Sequence, residues 1–243
     1  MKLLKTFSPG PLTVILKKKK IVSNLITGNK DTVAIRIPNH KLTLELLSKI
    51  DFPVAAPSAN PFSYVSPTNP KHVNDNLGDK IPYILDGGQC EVGIESTVIS
   101  FIEDIPKILR YGKITKENII SIIGNVDTFQ GNSDNPDSPG QLKIHYSPNK
   151  KLILGNIEEL INNFDKKKIG ILSFYKTIDK VPKENQLILS KNKDLNEASY
   201  NLFNYLRILD NMSNIDVIIA EKLPDVGLGI AINDRLKRAS EKI

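Results

Sequence analysis

Short hydroxyl and amide side chains crowd one stretch of this sequence, "VAAPSANPFSYVSPT" (Val54–Thr68). There Ser58, Asn60, Ser63, Ser66 and Thr68 alternate with Pro57, Pro61 and Pro67. Uncharged groups that both donate and accept hydrogen bonds suit the polar edges of a small ligand, and the prolines leave such a loop few conformations. The same composition also makes ordinary turns. Upstream, "TVAIRIP" sets Arg36 after three apolar positions of an expected strand. A guanidinium there either meets a carboxylate or phosphate with its planar fork or forms a structural ion pair, because an unpaired buried charge is costly. Downstream, "GGQCEVGIESTVISF" places Glu95, Ser96 and Thr97 at a strand start, and "PKILRYG" presents Arg110 at a strand end beside Gly112. Arg110 is a second candidate anion contact.

Other residues read more plainly. Glu95 suits the charged end of a hairpin better than a catalytic base. Cys90 has no histidine near it in sequence and reads as a buried or inert thiol. "HYSP" (His145–Pro148) puts an aromatic into a stretch that otherwise resembles a flexible linker, which points to Tyr146 as a docking residue. "DVGLGIAINDRL" has two glycines before a helix, but neither a third glycine at the right spacing nor a Lys-Ser/Thr ending, and is not a phosphate loop.

These residues must be positioned by regular elements. Strands are expected at Leu12–Lys17, Thr32–Ile37, Pro53–Ala56 (short and buried), Ile81–Leu85, Ser96–Phe101 and Ile108–Arg110. Gly87 and Gly88 should turn the chain between two of them. Lys41–Ile50 has the apolar spacing of a short amphipathic helix. Asn69 before Pro70 is an N-cap signature for a helix over Pro70–Leu77, and Thr115 should cap another that runs to about Ile123. From Gly124 to about Pro148 the periodicity dissolves into Gly, Asn, Asp, Ser and Pro, the best linker candidate. Beyond it, strand-like runs at Leu152–Leu154, Ile169–Phe174, Gln186–Leu189 and Val217–Ala220 alternate with helical runs near Ile157–Phe164, Leu195–Met212 and Ile230–Lys242. That alternation is the pattern of a small parallel α/β domain.

The 243 residues suffice for two domains, with 40% hydrophobic and 25% charged residues, an ordinary soluble composition. No apolar run approaches the roughly 18–20 residues that cross a bilayer, and no signal-peptide core is present, so no membrane association is expected. A single cysteine excludes an internal disulfide and fits a reducing, cytoplasmic compartment. Three scattered histidines and one cysteine argue against a structural zinc site, and no metal ligand is assigned. The net charge of +6 permits weak contact with a polyanion such as tRNA, while Lys17–Lys20 reads as a solvated strand end.

Taken in order, "SPGPLT" (Ser8–Thr13), "VAIRIP" (Val33–Pro38), "APSAN" with "SPT" (Ala56–Asn60, Ser66–Thr68), "DGG…GIESTV" (Asp86–Val98), "ILRYG" (Ile108–Gly112) and "SPG…HYSP" (Ser138–Pro148) resemble the YrdC-type threonylcarbamoyl-AMP synthases in their long, two-domain form. The resemblance covers essentially the whole chain. It implies an α/β fold: a YrdC-like twisted α/β catalytic domain at 1–124, a linker or gating loop at 125–149, and a small Rossmann-like parallel α/β domain at 150–243. It implies the formation of threonylcarbamoyl-AMP and pyrophosphate from L-threonine, bicarbonate or CO2, and ATP with Mg2+. The adenylate would pass to a partner enzyme that modifies adenosine beside the anticodon of tRNA. Carried over motif by motif, Arg36, the Ala56 backbone and Ser96 would hold threonine. Thr32, Ser58, Asn60, Ser66 and Arg110 would contact ATP, and Tyr146 would cover the nucleotide.

One part of the family pattern is missing. Members carry, upstream of the "PGPLT" block, a Pro-Thr-Glu-Thr type motif and then a Lys-x-Arg motif, and here Met1 stands only a few residues before Ser8. The expectation is impaired or absent activity and a partly uncovered core, as in a truncated gene model, half of a split gene or a decayed copy. The alternatives are therefore a catalytically impaired remnant, or an RNA- or nucleotide-binding module without catalysis.

Overall fold

A computed structural model of the chain describes residues 2–129 and 143–241. In chain order the first elements are α1 (Lys2–Phe7), β1 (Leu12–Lys17), α2 (Asn24–Thr27), β2 (Thr32–Ile35), α3 (Lys41–Ser48) and α4 (Pro70–Leu77). Then come β3 (Thr97–Ser100), β4 (Lys107–Arg110), α5 (Lys116–Ile123) and β5 (Asp127–Thr128). The last part holds β6 (Lys151–Leu154), α6 (Ile157–Leu160), β7 (Ile169–Ser173), β8 (Gln186–Ile188), α7 (Leu195–Asn211), β9 (Val217–Ala220) and α8 (Leu228–Ser240). Among the described residues no helix is long and apolar enough to cross a membrane.

The chain forms two compact units, and both are discontinuous. The first draws on Met1–Pro57 and Glu95–Gln141, the second on Ser58–Ile94 and Leu142–Ile243.

In the first unit five strands form one mixed sheet in the order β2-β1-β3-β4-β5. β1 runs antiparallel to β2 and parallel to β3, and β3 runs antiparallel to β4. Leu12, Val14, Ile99 and Ile108 pack with Leu3 of α1 and Ile119 of α5 as one buried cluster. Helix α5 begins where Thr115 and Asn118 form a reciprocal capping box, which satisfies donors that the first turn cannot. Several apolar side chains of this unit are left uncovered. Ile35, Ile37, Leu42 and Leu46 are exposed, and Leu25 is 91% exposed.

The second unit contains a four-stranded, wholly parallel sheet in the order β6-β9-β7-β8. Strands β7 (IGILS) and β9 (VIIA) are buried at every position, as expected where helices cover both faces of a parallel sheet. Helix α7 packs on α8 and β7, and α8 packs on β6. Residues 58–94 belong to this unit and carry α4, capped by the Asn69 side chain with Pro70 in its first turn.

The structure corrects three local expectations. Pro53–Ala56 forms no strand and is exposed rather than buried. Ile81–Leu85 also forms no strand, and Leu85 and Tyr83 are 58% and 88% exposed. Both runs have strand-like composition, but a strand exists only where another backbone pairs with it, and neither run finds one among the described residues. Cys90 is exposed, on the turn-rich stretch that precedes β3. A short strand, β5, falls inside the stretch read as linker, and residues 130–142 of that stretch lie outside the described residues.

Candidate functional site

The central strands of the first unit bring three polar side chains together. In the parallel β1–β3 pair Thr13 lies opposite Val98, and in the antiparallel β3–β4 pair Val98 lies opposite Arg110. Side chains alternate along a strand, so Ser96, two residues before Val98, shares a face with Val98 and its partners. The hydroxyls of Thr13 and Ser96 are 2.6 Å apart. Arg110 donates from Nε to the Ser96 carbonyl at 3.1 Å and from Nη2 to the Ser96 Oγ at 3.1 Å. Ser96 is buried, while Arg110 and Thr13 are half-buried. A guanidinium oriented by a neighbouring carbonyl and hydroxyl is a donor array suited to an anionic ligand. Gly112 lies so close to this strand start that a Cβ there would fall 2.5 Å from the Thr97 nitrogen.

Thr32 and Arg36 bracket β2 in the same unit. Thr32 is half-buried opposite Lys17, and Arg36 follows Ile35, the partner of Val14. Arg36 is exposed and makes no ion pair among the described residues, so the structural-ion-pair reading of this residue finds no support. Ala56 lies in the exposed segment before Pro57.

Ser58, Asn60, Ser66 and Tyr146 lie in the second unit. Ser58 is exposed and Ser66 buried. The Asn60 side chain closes its own loop, with Nδ2 donating to the carbonyls of Pro61 (2.9 Å) and Tyr64 (3.1 Å). The loop also meets the "HYSP" motif: Tyr64 and Ser147 form a parallel β-bridge, and the Ser147 N–H donates to the Ser63 carbonyl at 2.8 Å. Tyr146 itself has φ +63° and is 1% exposed. Its ring stacks on Phe203 with centroids 5.4 Å apart and lies 5.5 Å from the Arg235 guanidinium carbon.

Two groups in this unit have strongly shifted protonation. Burial, helped by the Arg207 charge, lowers the His72 pKa to about 4, and the Thr68 N–H donates to its neutral Nδ1 at 3.2 Å. Burial and the hydrogen bond to Asp210 raise the Tyr64 pKa to about 12, so that phenol stays protonated.

Sequence reasoning did not single out Thr13, although it lies in the "SPGPLT" block, nor Arg207 and Asp210 on α7. Thr13 was findable as the last residue of that block. Arg207 and Asp210 carry no local signal.

The fold and these side chains define a two-unit α/β protein with a hydroxyl and guanidinium cluster on one sheet. Residues 1–112 match the family model described as "Telomere recombination", and residues 114–241 match "Threonylcarbamoyl-AMP synthase, C-terminal domain". The threonylcarbamoyl-AMP synthase of Bacillus subtilis (strain 168) is 38% identical over 249 residues, which cover 98% of this chain and 72% of the relative. That of Schizosaccharomyces pombe is 34% identical over 275 residues, covering 99% of this chain and 66% of the relative. Among solved structures, the crystal structure of P. abyssi Sua5 complexed with L-threonine superposes with a TM-score of 0.90 at 37% identity, covering 98% of this chain and 73% of that one. The chain belongs to the threonylcarbamoyl-AMP synthase family and carries both of its domains.

Proposed function

We propose that this chain forms threonylcarbamoyl-AMP and pyrophosphate from L-threonine, bicarbonate or CO2, and ATP. The observation that carries the reading is the Thr13–Ser96–Arg110 cluster, a guanidinium held against a hydroxyl in a member of this family. The threonine amine adds to CO2 to give a carbamate. A carbamate oxygen attacks the α-phosphorus of ATP, and pyrophosphate leaves with the bonding electrons of the broken P–O bond. Such a reaction asks the protein for alignment and for donors facing the phosphates rather than for a covalent intermediate.

In this reading Arg36 pairs with the threonine carboxylate, with the Ala56 backbone and the Ser96 hydroxyl placing the rest of the amino acid. Thr32, Ser58, Asn60, Ser66 and Arg110 contact ATP. For Tyr146 to cover the nucleotide, its ring must leave Phe203, so that contact belongs to the ligand-bound state. Among the described residues no three His, Cys, Asp or Glu side chains gather as a metal site. Mg2+ is assigned to the ATP phosphates, where it would neutralise charge on the leaving pyrophosphate. The adenylate passes to a tRNA-modifying enzyme, and the net charge of +6 permits a weak direct contact with tRNA.

The test is pyrophosphate release by the full chain. The proposal expects release only with threonine, bicarbonate and ATP together. Release without threonine would overturn it, as would salt-sensitive tRNA binding in a chain that binds neither threonine nor ATP.

A further inference from the structure

Arg207 lies on α7 and is 4% exposed, yet its hydrogen bonds go to neutral oxygens rather than to a carboxylate. Its Nε donates to the Ser66 carbonyl at 3.3 Å, Nη2 to the Val65 carbonyl at 2.5 Å, and Nη1 to Asn76 Oδ1 at 2.8 Å. The guanidinium carbon also stands 4.8 Å from the centroid of the Tyr64 ring. Three residues further along the same helix face, Asp210 accepts from the Tyr64 hydroxyl at 2.8 Å. Asp210 also accepts from Asn149 Nδ2 at 3.1 Å and from the Lys150 N–H at 2.9 Å, while Lys150 Nζ donates to its carbonyl. Earlier on α7, the Ser199 hydroxyl donates to the Val92 carbonyl at 3.0 Å.

One helix thus holds both ends of the 58–94 segment and the chain just after "HYSP". A buried guanidinium is an expensive way to fill space, since its desolvation must be offset by well-placed acceptors, and an apolar side chain would fill the volume without that cost. What it adds is direction: a rigid fork fixes two consecutive carbonyls of the loop at once. Those carbonyls belong to Val65 and Ser66, the second of which is assigned above to ATP.

We propose that Arg207 and Asp210 are positioning residues for nucleotide binding, and that α7 sets the conformation of the Ser58–Ser66 loop through them. The inference rests on the assignment of that loop to ATP. Neither residue touches substrate; each acts through Tyr64, Val65 or Ser66.

The test uses the full chain and the variants Arg207→Lys, Asp210→Asn and Ser66→Ala. ATP and threonine affinities are measured by titration calorimetry, amide exchange over residues 61–68 by mass spectrometry, and stability by urea unfolding. Arg207→Lys should weaken ATP binding about tenfold, the equivalent of one lost charge-assisted hydrogen bond. Threonine affinity should stay within about twofold, since Arg36, Ala56 and Ser96 lie outside the segment that Arg207 holds. Exchange over the loop should quicken about tenfold, the same free energy read as local opening. Asp210→Asn should reproduce the pattern more weakly, and it carries the test if Arg207→Lys does not fold.

Weakened ATP binding in Ser66→Ala with unchanged binding and exchange in Arg207→Lys would overturn the positioning role and leave the loop's assignment standing. Parallel losses of ATP affinity, threonine affinity and urea midpoint in Arg207→Lys would show a merely structural residue and also overturn it. Unchanged ATP affinity in Ser66→Ala would instead remove the assignment of Ser66, and quickened loop exchange in Arg207→Lys would then still show that α7 orders the loop.

Discussion

The hydroxyls of Thr13 and Ser96 face each other at 2.6 Å across the β1–β3 edge, and Arg110 donates to the same Ser96 hydroxyl. Replacing Ser96 by alanine removes a partner from two polar side chains at once. The expected result is a loss of about 1–3 kcal/mol in urea unfolding, the usual cost of leaving a shielded polar group unmatched. Threonine affinity should fall as well, because Ser96 is proposed to touch that substrate. A Ser96→Thr variant, which restores the hydroxyl, should recover much of the stability.

Thr97 is fully buried, and its hydroxyl both donates to the Ile114 carbonyl at 2.7 Å and accepts from the Ile114 N–H at 3.0 Å. Thr97→Val keeps the shape and orphans both backbone groups. Unfolding experiments should show a loss of about 1–3 kcal/mol with no change in ATP affinity.

Acid should weaken the second unit through His72. Its folded pKa of about 4 lies below the ordinary value of 6.5, so between these limits the unfolded chain binds a proton that the folded chain refuses. The contribution of neutral His72 is complete above pH 6.5 and is lost progressively as pH falls towards 4. The urea midpoint should therefore drop more steeply over that window in the unaltered chain than in His72→Gln. Equal slopes would remove His72 as the cause.

Gly93 has φ +79°, and a Cβ there would come 2.2 Å from the Ser199 carbonyl oxygen on α7. Gly93→Ala forces both a strained backbone and a shift of the helix contact. Its expected cost, about 2 kcal/mol or more, exceeds that of Gly88→Ala, where φ is also positive but a Cβ meets nothing. Comparing the two variants separates the clash from the strain.

Much of the fold was legible wherever a local rule sufficed. β1, α4 and α5 run over the residues expected of them, because an apolar strand pattern and side-chain caps at Asn69 and Thr115 are written into neighbouring positions. The parallel sheet of the second unit was legible for the same reason, from apolar runs alternating with helical ones. Helix α1 escaped notice, since Lys2–Phe7 is too short to show a period. Pro53–Ala56 and Ile81–Leu85 misled because composition reports suitability for a strand and says nothing about a pairing partner.

At the candidate site, Ser96 and Arg110 could be read from their motifs, and the structure brings them together. Arg207 and Asp210 could not. An arginine and an aspartate on an amphipathic helix look like surface residues, and their partners lie 141 and 146 positions earlier in the chain.

That separation orders events on the ribosome. Val65 and Ser66 are made early, but the helix that holds their carbonyls is made more than a hundred residues later. Until α7 has emerged, the 58–94 segment of the nascent chain has neither Arg207 nor Asp210 to dock against. The residues of the first unit, 1–57 and 95–141, have by then already been made. A polypeptide stopped short of Leu195 would carry the serine-rich loop in full sequence and lack the contacts that shape it.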